Sequence, residues 1–283
     1  MSKKILIIGE SCRDIFVYCK ALRIAPDIPV PVLEVVERSE NPGMAKNVER
    51  NVKSLYQGCD IVTNANWRTI TKTRFMHQRT NQGFFRVDVD HTMQRVDVRR
   101  IPLKKYDIIA ISDYNKGFLT KEDMQYICEH HPCVFVDTKK PVGRFLEAAK
   151  YIKINKHEYE RSMPVARDIA RKIICTKAEQ GAEFREKTYP VEKIETKDSS
   201  GAGDSFFAAL LVRYAQTENI EEAIQFANVC TTDVVQHRGV SVIRNLKDLR
   251  KQGGISSKKN GREVDGYDAA RHAHVWSSTK KDG

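Results

Sequence analysis

The sequence predicts an α/β fold built on a central, mostly parallel sheet, and three observations point there. From about residue 105 onward, short apolar runs alternate with stretches of helical pattern, as in strand–helix–strand crossovers. The run Ile5-Leu-Ile-Ile-Gly9 is too short for a membrane span or signal segment, and Glu10, Arg13 and Asp14 follow at once, so it reads as a buried first strand. A Gly201-Ala-Gly203 turn delivers Asp204 to the start of an apolar helix, the strand-end-to-helix arrangement on which such folds build their sites.

The elements follow in order. Residues 4–9 form the first strand. Residues 14–37 carry Phe16, Val17, Tyr18, Val30, Val32, Val35 and Val36, interrupted by Pro26, Pro29 and Pro31. Proline cannot donate to a ladder, so this segment predicts edge strands of a second, smaller sheet. Asn47 to Leu55 predicts a helix ending near Gly58. Residues 70–90 predict two more strands of the small sheet, joined through Asn81-Gln82-Gly83, a turn signal. Then come strand 106–112, helix 120–130, strand 133–137, helix 142–149, strand 151–154, a short helix 157–163 and strand 171–176. Helices at 205–216 and 220–236 complete the domain, taken as residues 1–251. Residues 252–283 are rich in Gly, Ser, Lys and His without apolar periodicity, which predicts a disordered tail.

The chain has 283 residues, 41% hydrophobic and 30% charged, the balance of a globular protein with a charged surface. No run approaches the roughly 18 apolar residues of a membrane helix. Seven cysteines are scattered without C-x-x-C pairs, which suggests reduced thiols in the cytoplasm rather than a disulfide framework. The net charge of +11 permits nucleic-acid contact by field alone, yet the charges are spread out and no recognition module accompanies them. A basic balance equally suits a protein that binds phosphorylated small molecules. Cys128, His130, His131 and Cys133 lie close in sequence but do not follow a zinc-ligand spacing.

Chemistry concentrates at Lys197-Asp-Ser-Ser-Gly-Ala-Gly-Asp-Ser-Phe-Phe207. The start of a helix leaves backbone N–H groups unpaired and carries partial positive charge, so it attracts anions. A carboxylate there, Asp204, can take a proton from a hydroxyl while the amides of Gly201, Ala202, Gly203 and Asp204 hold charge on a transferring phosphoryl group. A plain glycine-rich turn with an acid in the first helical turn would look the same.

The surrounding motifs separate the two. Asp198-x-x-Gly-Ala-Gly-Asp204, Asn155-Lys-His-Glu158 and Thr176-x-x-x-x-Gly181 resemble the signature of ribokinase-like (PfkB-type) carbohydrate kinases. Within that family, Arg23-Ile-Ala-Pro-Asp-Ile-Pro-Val-Pro-Val32 resembles a segment of bacterial heptose-7-phosphate kinases. So do Asn41-Pro-Gly-Met-Ala-Lys-Asn-Val48, Thr71-Lys-Thr-Arg74, Asn81-Gln82, Arg86-Val-Asp88, Ser112-Asp-Tyr-Asn-Lys-Gly117 and Val136-Asp-Thr-Lys139, in the family's order. The resemblance implies a ribokinase-like three-layer sandwich, the small sheet serving as a lid. It implies transfer of phosphate from ATP, with Mg²⁺, to the anomeric hydroxyl of D-glycero-D-manno-heptose 7-phosphate. Asp204 would be the base and Gly201, Ala202 and Gly203 the anion hole. Asp14, Gly43, Asn47, Arg86 and Lys139 would bind the sugar phosphate. Asn155, Thr176, Lys177 and Gly181 would face the nucleotide, and Glu158 with Asn155 would act toward Mg²⁺ through water. A homodimer joined through the lids is also implied; membrane and nucleic acid are not. A non-catalytic nucleotide- or sugar-binding relative, or a kinase of another sugar or nucleoside, stays open.

The chain departs from the family's pattern in places. Only about fifteen residues separate Leu55 from Thr71, where another strand–helix–strand is expected. A helix between Glu158 and Ile173 is shortened, Met44 stands where a glycine is usual, and Lys46 replaces an alanine. No match to the nucleotidyltransferase domain often fused to these kinases is found in the sequence.

Overall fold

The computed structural model describes residues 3–90 and 93–244; the predicted tail, 252–283, lies outside the described residues. The main sheet opens with β1 (Ile5–Gly9), followed by β2 (Ser11–Ile24), β3 (Pro31–Met44), helix α1 (Ala45–Leu55) and β4 (Cys59–Val62). Next come β5 (Thr71–His77), β6 (Gly83–Val89), β7 (Ile108–Asp113), α2 (Lys121–His130), β8 (Val134–Thr138) and β9 (Tyr151–Asn155). The chain continues through α3 (Lys156–Ser162), α4 (Arg167–Ala170), β10 (Ile173–Thr176), β11 (Ala182–Phe184), β12 (Lys187–Tyr189), α5 (Ala202–Thr217) and α6 (Ile220–Val234).

Eight strands form one sheet in the order β12-β11-β10-β9-β8-β7-β1-β4. Pairings from β4 across to β10 are parallel, and the β11–β12 hairpin adds an antiparallel edge. The central strands are buried on both faces, so they read as unbroken apolar runs. Leu6, Ile8, Ile109, Ile111, Val134 and Val136 turn one way, into a core shared with Met124 and Ile127 of α2 and Ile169 of α4. Phe135 turns the other way and meets Tyr214 of α5 edge-on at 5.0 Å. Helices α1, α5 and α6 pack on one another on that side. The result is three layers, helix–sheet–helix.

A second, separate sheet, in the order β3-β2-β5-β6, is formed by the strands expected to make the lid and is called the lid below. Strand β2 pairs antiparallel with β3 and parallel with β5, and β5 pairs antiparallel with β6. The lid strands are longer than the sequence suggests, because β2 begins at Ser11, one residue after β1 ends. Pro26 and Pro29 sit in the connection, and Pro31 opens edge strand β3, where a missing N–H costs little.

One expected element is corrected and one unexpected element is found. Residues 142–149 do not form a helix: a single 3₁₀ turn spans Arg144–Leu146, and Gly143 before it supplies no side-chain cap. Gly143 at the start gives the segment no side-chain cap and weak helix propensity, so a longer helix is not favoured there. The β11–β12 hairpin was not expected at all. Its turn uses Arg185 and Glu186, both at positive φ (49° and 66°), without the Asn or Gly that signals such a turn. The compaction after Leu55 is real: β4 is the sheet edge, and the chain runs from it into β5 through turns, with no helix between.

Candidate active site

After β1 the chain first places β4 on one side, then returns to place β7 on the other. Such a reversal opens a crevice beyond the C-terminal strand ends. Here it leads into a cavity of about 1000 Å³, bounded by strand ends, the lid and the start of α5. Asp14, Lys139, Asn155, Thr176, Gly181 and the whole Gly201–Asp204 turn line it.

Asp204 occupies the first turn of α5 and is 6% exposed. Its Oδ2 accepts from Asn47 Nδ2 at 2.9 Å, and Tyr114 donates its hydroxyl to Oδ1. Burial pushes the carboxyl up to about 6, although the hydrogen bonds from Tyr114 and Asn47 favour its charged form. A carboxylate that titrates near neutrality is suited to general-base work. Gly201 caps the helix at φ 78°, a left-handed conformation, and a Cβ there would lie 2.8 Å from Asn47 Nδ2. Glycine is thus required both for the turn and for the Asn47–Asp204 contact. Ala202 N–H is held by Ser199 O at 3.2 Å, whereas the amides of Gly203 and Asp204 have no upstream helical partner.

The first aspartate of the motif is a clamp. Asp198 accepts from Ser200 N (2.8 Å), Gly239 N (3.1 Å) and, at 3.4 Å, Asn81 Nδ2. Asn81 also donates to Lys197 O at 2.8 Å, so the β5–β6 turn is tied to the loop that carries Asp204.

On the small-sheet side of the cavity, Asp14 is buried against Arg74, Nη1 to Oδ1 at 2.6 Å. Gly43 lies directly behind it: a Cβ there would fall 2.3 Å from Asp14 Oδ2. Asn47 is buried, and its Oδ1 accepts from Asn51 at 3.1 Å, which leaves Nδ2 for Asp204. Arg86 is not brought to the cavity; it lies on edge strand β6 and pairs with Asp88 at 2.8 Å. Lys177 pairs with Glu183 and faces a separate cavity beyond β10. Asn155 and Glu158 form a reciprocal capping box at the start of α3, each bond 2.8 Å, and Lys139 also pairs with Glu158.

Met44 keeps the glycine-type backbone of the turn, φ 61° and ψ −134°, and its side chain is buried in the core beside Cys12. A non-glycine residue there carries strain of about 1–3 kcal/mol. Met44→Ala loses the packing and keeps the strain, whereas Met44→Gly loses both. Glycine should therefore be the more stable variant by about 1 kcal/mol, the reverse of the usual order. Urea unfolding of the two variants checks this, and a more stable alanine variant would remove the strain argument.

Sequence reasoning missed three groups. Lys153, in the middle of β9, forms a buried ion pair with Asp137 at 2.8 Å. A Cβ on Gly203 would lie 3.1 Å from the Lys153 ammonium, which places that charge against the anion cradle. Its only signal was a lysine inside an otherwise apolar strand. Asp137 is the penultimate residue of β8 and keeps Oδ1 buried without a hydrogen-bond partner. Tyr114, from the loop after β7, was quoted within a motif but given no role.

Solved structures resemble this fold. The ribokinase of Thermotoga maritima aligns with a TM-score of 0.66 at 16% identity, covering 88% of this chain and 98% of that one. The ribokinase of Arabidopsis thaliana, solved with ribose and ATP, aligns at 0.64 and 14%, covering 90% and 100%. In sequence, the bifunctional protein HldE of Helicobacter pylori strain J99 is 29% identical over 87% of this chain, and that of Nitratiruptor sp. is 29% identical over 85%. The chain spans 65% and 63% of those relatives' lengths. The profile of the pfkB family carbohydrate kinases matches residues 44–245, most of the chain and all of the Gly201–Asp204 turn. With that match, and a buried carboxylate beside a helix-start anion cradle, the chain belongs to the pfkB family of carbohydrate kinases, phosphotransferases that act on a sugar hydroxyl.

Proposed function

We propose that this kinase transfers the γ-phosphate of ATP to the anomeric hydroxyl of D-glycero-D-manno-heptose 7-phosphate. The observation that carries the reaction type is Asp204, buried at the mouth of the Gly201–Gly203 turn with Asn47 and Tyr114 holding its two oxygens. The substrate assignment is supported by the likeness to HldE proteins and by the lid motifs, of which Asp14, Lys72 and Arg74 line the cavity.

Asp204 takes the proton of the acceptor hydroxyl as that oxygen forms its bond to the γ-phosphorus. The bond from phosphorus to the bridging oxygen breaks, and ADP leaves with the electron pair. The transition state is loose, so holding the partners in line and stabilising spread charge contribute most of the acceleration. Gly203 and Asp204 amides, with Lys153 behind them, face the transferring group. Lys139, just after β8, adds positive charge on the same side.

The residues present fit Mg²⁺. Asp137 offers a carboxylate oxygen without a protein partner in the same cavity, and Glu158 and Asn155, already engaged in their capping box, are placed to act through water. When bound, the ion neutralises charge on the phosphates.

The outer lid face supports a homodimer. Leu22, Ile24, Val35 and Phe85 are 77%, 60%, 59% and 52% exposed, an apolar surface of the kind that subunit contacts cover. Seven buried, unpaired thiols support a reducing, cytoplasmic setting. Among the described residues no helix is long and apolar enough to cross a membrane.

The test is ADP release with Mg·ATP and heptose 7-phosphate, beside ribose, fructose 6-phosphate and adenosine, with sedimentation of the same preparation. Turnover confined to the heptose phosphate is expected, from a dimer. Turnover with another acceptor alone would discard the heptose assignment and leave the Asp204 chemistry in place.

A further inference from the structure

Tyr114 sits where three parts of the site meet. Its loop is pinned from below by Glu10, the buried residue that follows β1. The Glu10 carboxylate accepts from Tyr114 N at 2.8 Å and from Lys116 N at 2.9 Å. Asn115 at φ 57° and Gly117 at φ 95° then turn the chain sharply, so the loop has little freedom to move. The side chain that this anchoring projects has two working ends. Its hydroxyl donates to Asp204 Oδ1. Its ring carries two ammonium groups, Lys72 of the lid at 5.1 Å from the centroid and Lys139 at 5.5 Å. Arg74, the neighbouring lid cation in the cavity, is neutralised by Asp14, whereas Lys72 lies over the face of this ring.

We propose that Tyr114 is a positioning residue for phosphoryl transfer: its hydroxyl aims the Asp204 carboxylate at the acceptor, and its ring seats Lys72 of the lid for an anionic group of the acceptor. The proposal rests on the kinase reading and deepens it. A carboxylate oxygen has room for a second hydrogen bond, so the acceptor hydroxyl can approach while Tyr114 stays in place. A ring face holds an ammonium without neutralising it, which leaves Lys72 charged and available.

The two ends are separable. Tyr114→Phe removes the hydroxyl and keeps the ring; Tyr114→Leu removes both. The groups that face Asp204 besides Tyr114 are Asn47, Cys12 from β2, Asp137 from β8, Lys139 after β8 and Lys153 from β9. All are retained in both variants. Because the lost hydrogen bond favoured the charged carboxylate, Asp204 should titrate at higher pH in Tyr114→Phe. The acid limb of kcat/KM should move up by about half to one pH unit, a roughly two- to fivefold loss at pH 6 relative to pH 8. KM for the acceptor should stay unchanged in Tyr114→Phe and rise by about tenfold in Tyr114→Leu.

The carboxyl carbon resonance of Asp204, assigned by its absence in Asp204→Asn, reads the first half without turnover. An unchanged titration midpoint in Tyr114→Phe would overturn the role of the hydroxyl. Equal acceptor KM values in the two variants would overturn the role of the ring. Failure of the wild-type chain to phosphorylate any acceptor would instead count against the kinase reading, while the titration still decides whether Tyr114 sets Asp204.

Discussion

Asp204→Asn should abolish most turnover and at the same time raise the melting temperature at pH 8. Loss of a positioned general base costs about 10²–10⁴ in rate. The stability gain follows from linkage. Burial raises the carboxyl from 3.8 to about 6, so between those values the folded protein holds a proton that the unfolded chain has released. Stability therefore falls as pH rises from about 4 to about 6 and stays reduced above. A difference of roughly two pH units corresponds to about 3 kcal/mol. Asparagine carries no charge and avoids that cost. Its amide sets one donor against Asn47 Nδ2, which returns about 1–2 kcal/mol. The net expectation at pH 8 is a gain of about 1–2 kcal/mol, a few degrees in a domain of this size. Below pH 4 the advantage should vanish. Thermal melts of both proteins at pH 4 and pH 8, beside ADP release, give the result. An Asp204→Asn protein that turns over normally would end the base assignment. One that melts lower at pH 8 would show that the carboxylate is stabilised by its surroundings rather than strained by them.

Lys153→Met should be the most destabilising single change in the site. Both members of the Lys153–Asp137 pair are nearly fully buried, at 4% and 7% side-chain exposure. Removing the cation leaves a buried carboxylate that already has one oxygen without a partner. Breaking a buried pair in this way costs about 3–5 kcal/mol, or on the order of 10 °C in melting temperature. Replacing both partners removes the unpaired charge. The double variant Asp137→Asn/Lys153→Met should thus recover most of the stability. It should not recover turnover, because Lys153 stands against the anion cradle. Calorimetry of the single and double variants separates the two effects. A single variant that melts like the wild type would mean that the pair contributes nothing to folding, and a fully active double variant would remove Lys153 from the chemistry.

The site was readable in the sequence as far as its residues act locally. The Gly201–Asp204 turn is legible because a tight left-handed turn, an anion-binding helix start and an acid must be adjacent in the chain to work together. Asn155 and Glu158 are legible as a pair for the same reason: the three-residue spacing of a capping box is a local property. Tyr114, Lys153 and Asp137 carry no such spacing. Each belongs to a different strand or strand end, and only the order of strands in the sheet sets them around one cavity. Arg86 illustrates the opposite case. Its motif matches the family, yet it lies on an edge strand of the lid, where Asp88 beside it is the nearer partner. The β11–β12 hairpin was hidden because Arg185 and Glu186 occupy turn positions that ordinarily announce themselves with Asn or Gly.

The sequence by itself determined the strand–helix alternation, the strands of the small sheet and the placing of an acid, Asp204, at a glycine-rich helix start, because periodicity, proline placement and helix-start chemistry act within a few residues. What only the tertiary structure decided is the electrostatic state of the site. The raised titration of Asp204, the buried Lys153–Asp137 pair and the seating of Lys72 and Lys139 on one tyrosine ring depend on burial and on contacts between distant segments. Both are properties of the packed chain, since the cost of removing a charge from water depends on everything that surrounds it.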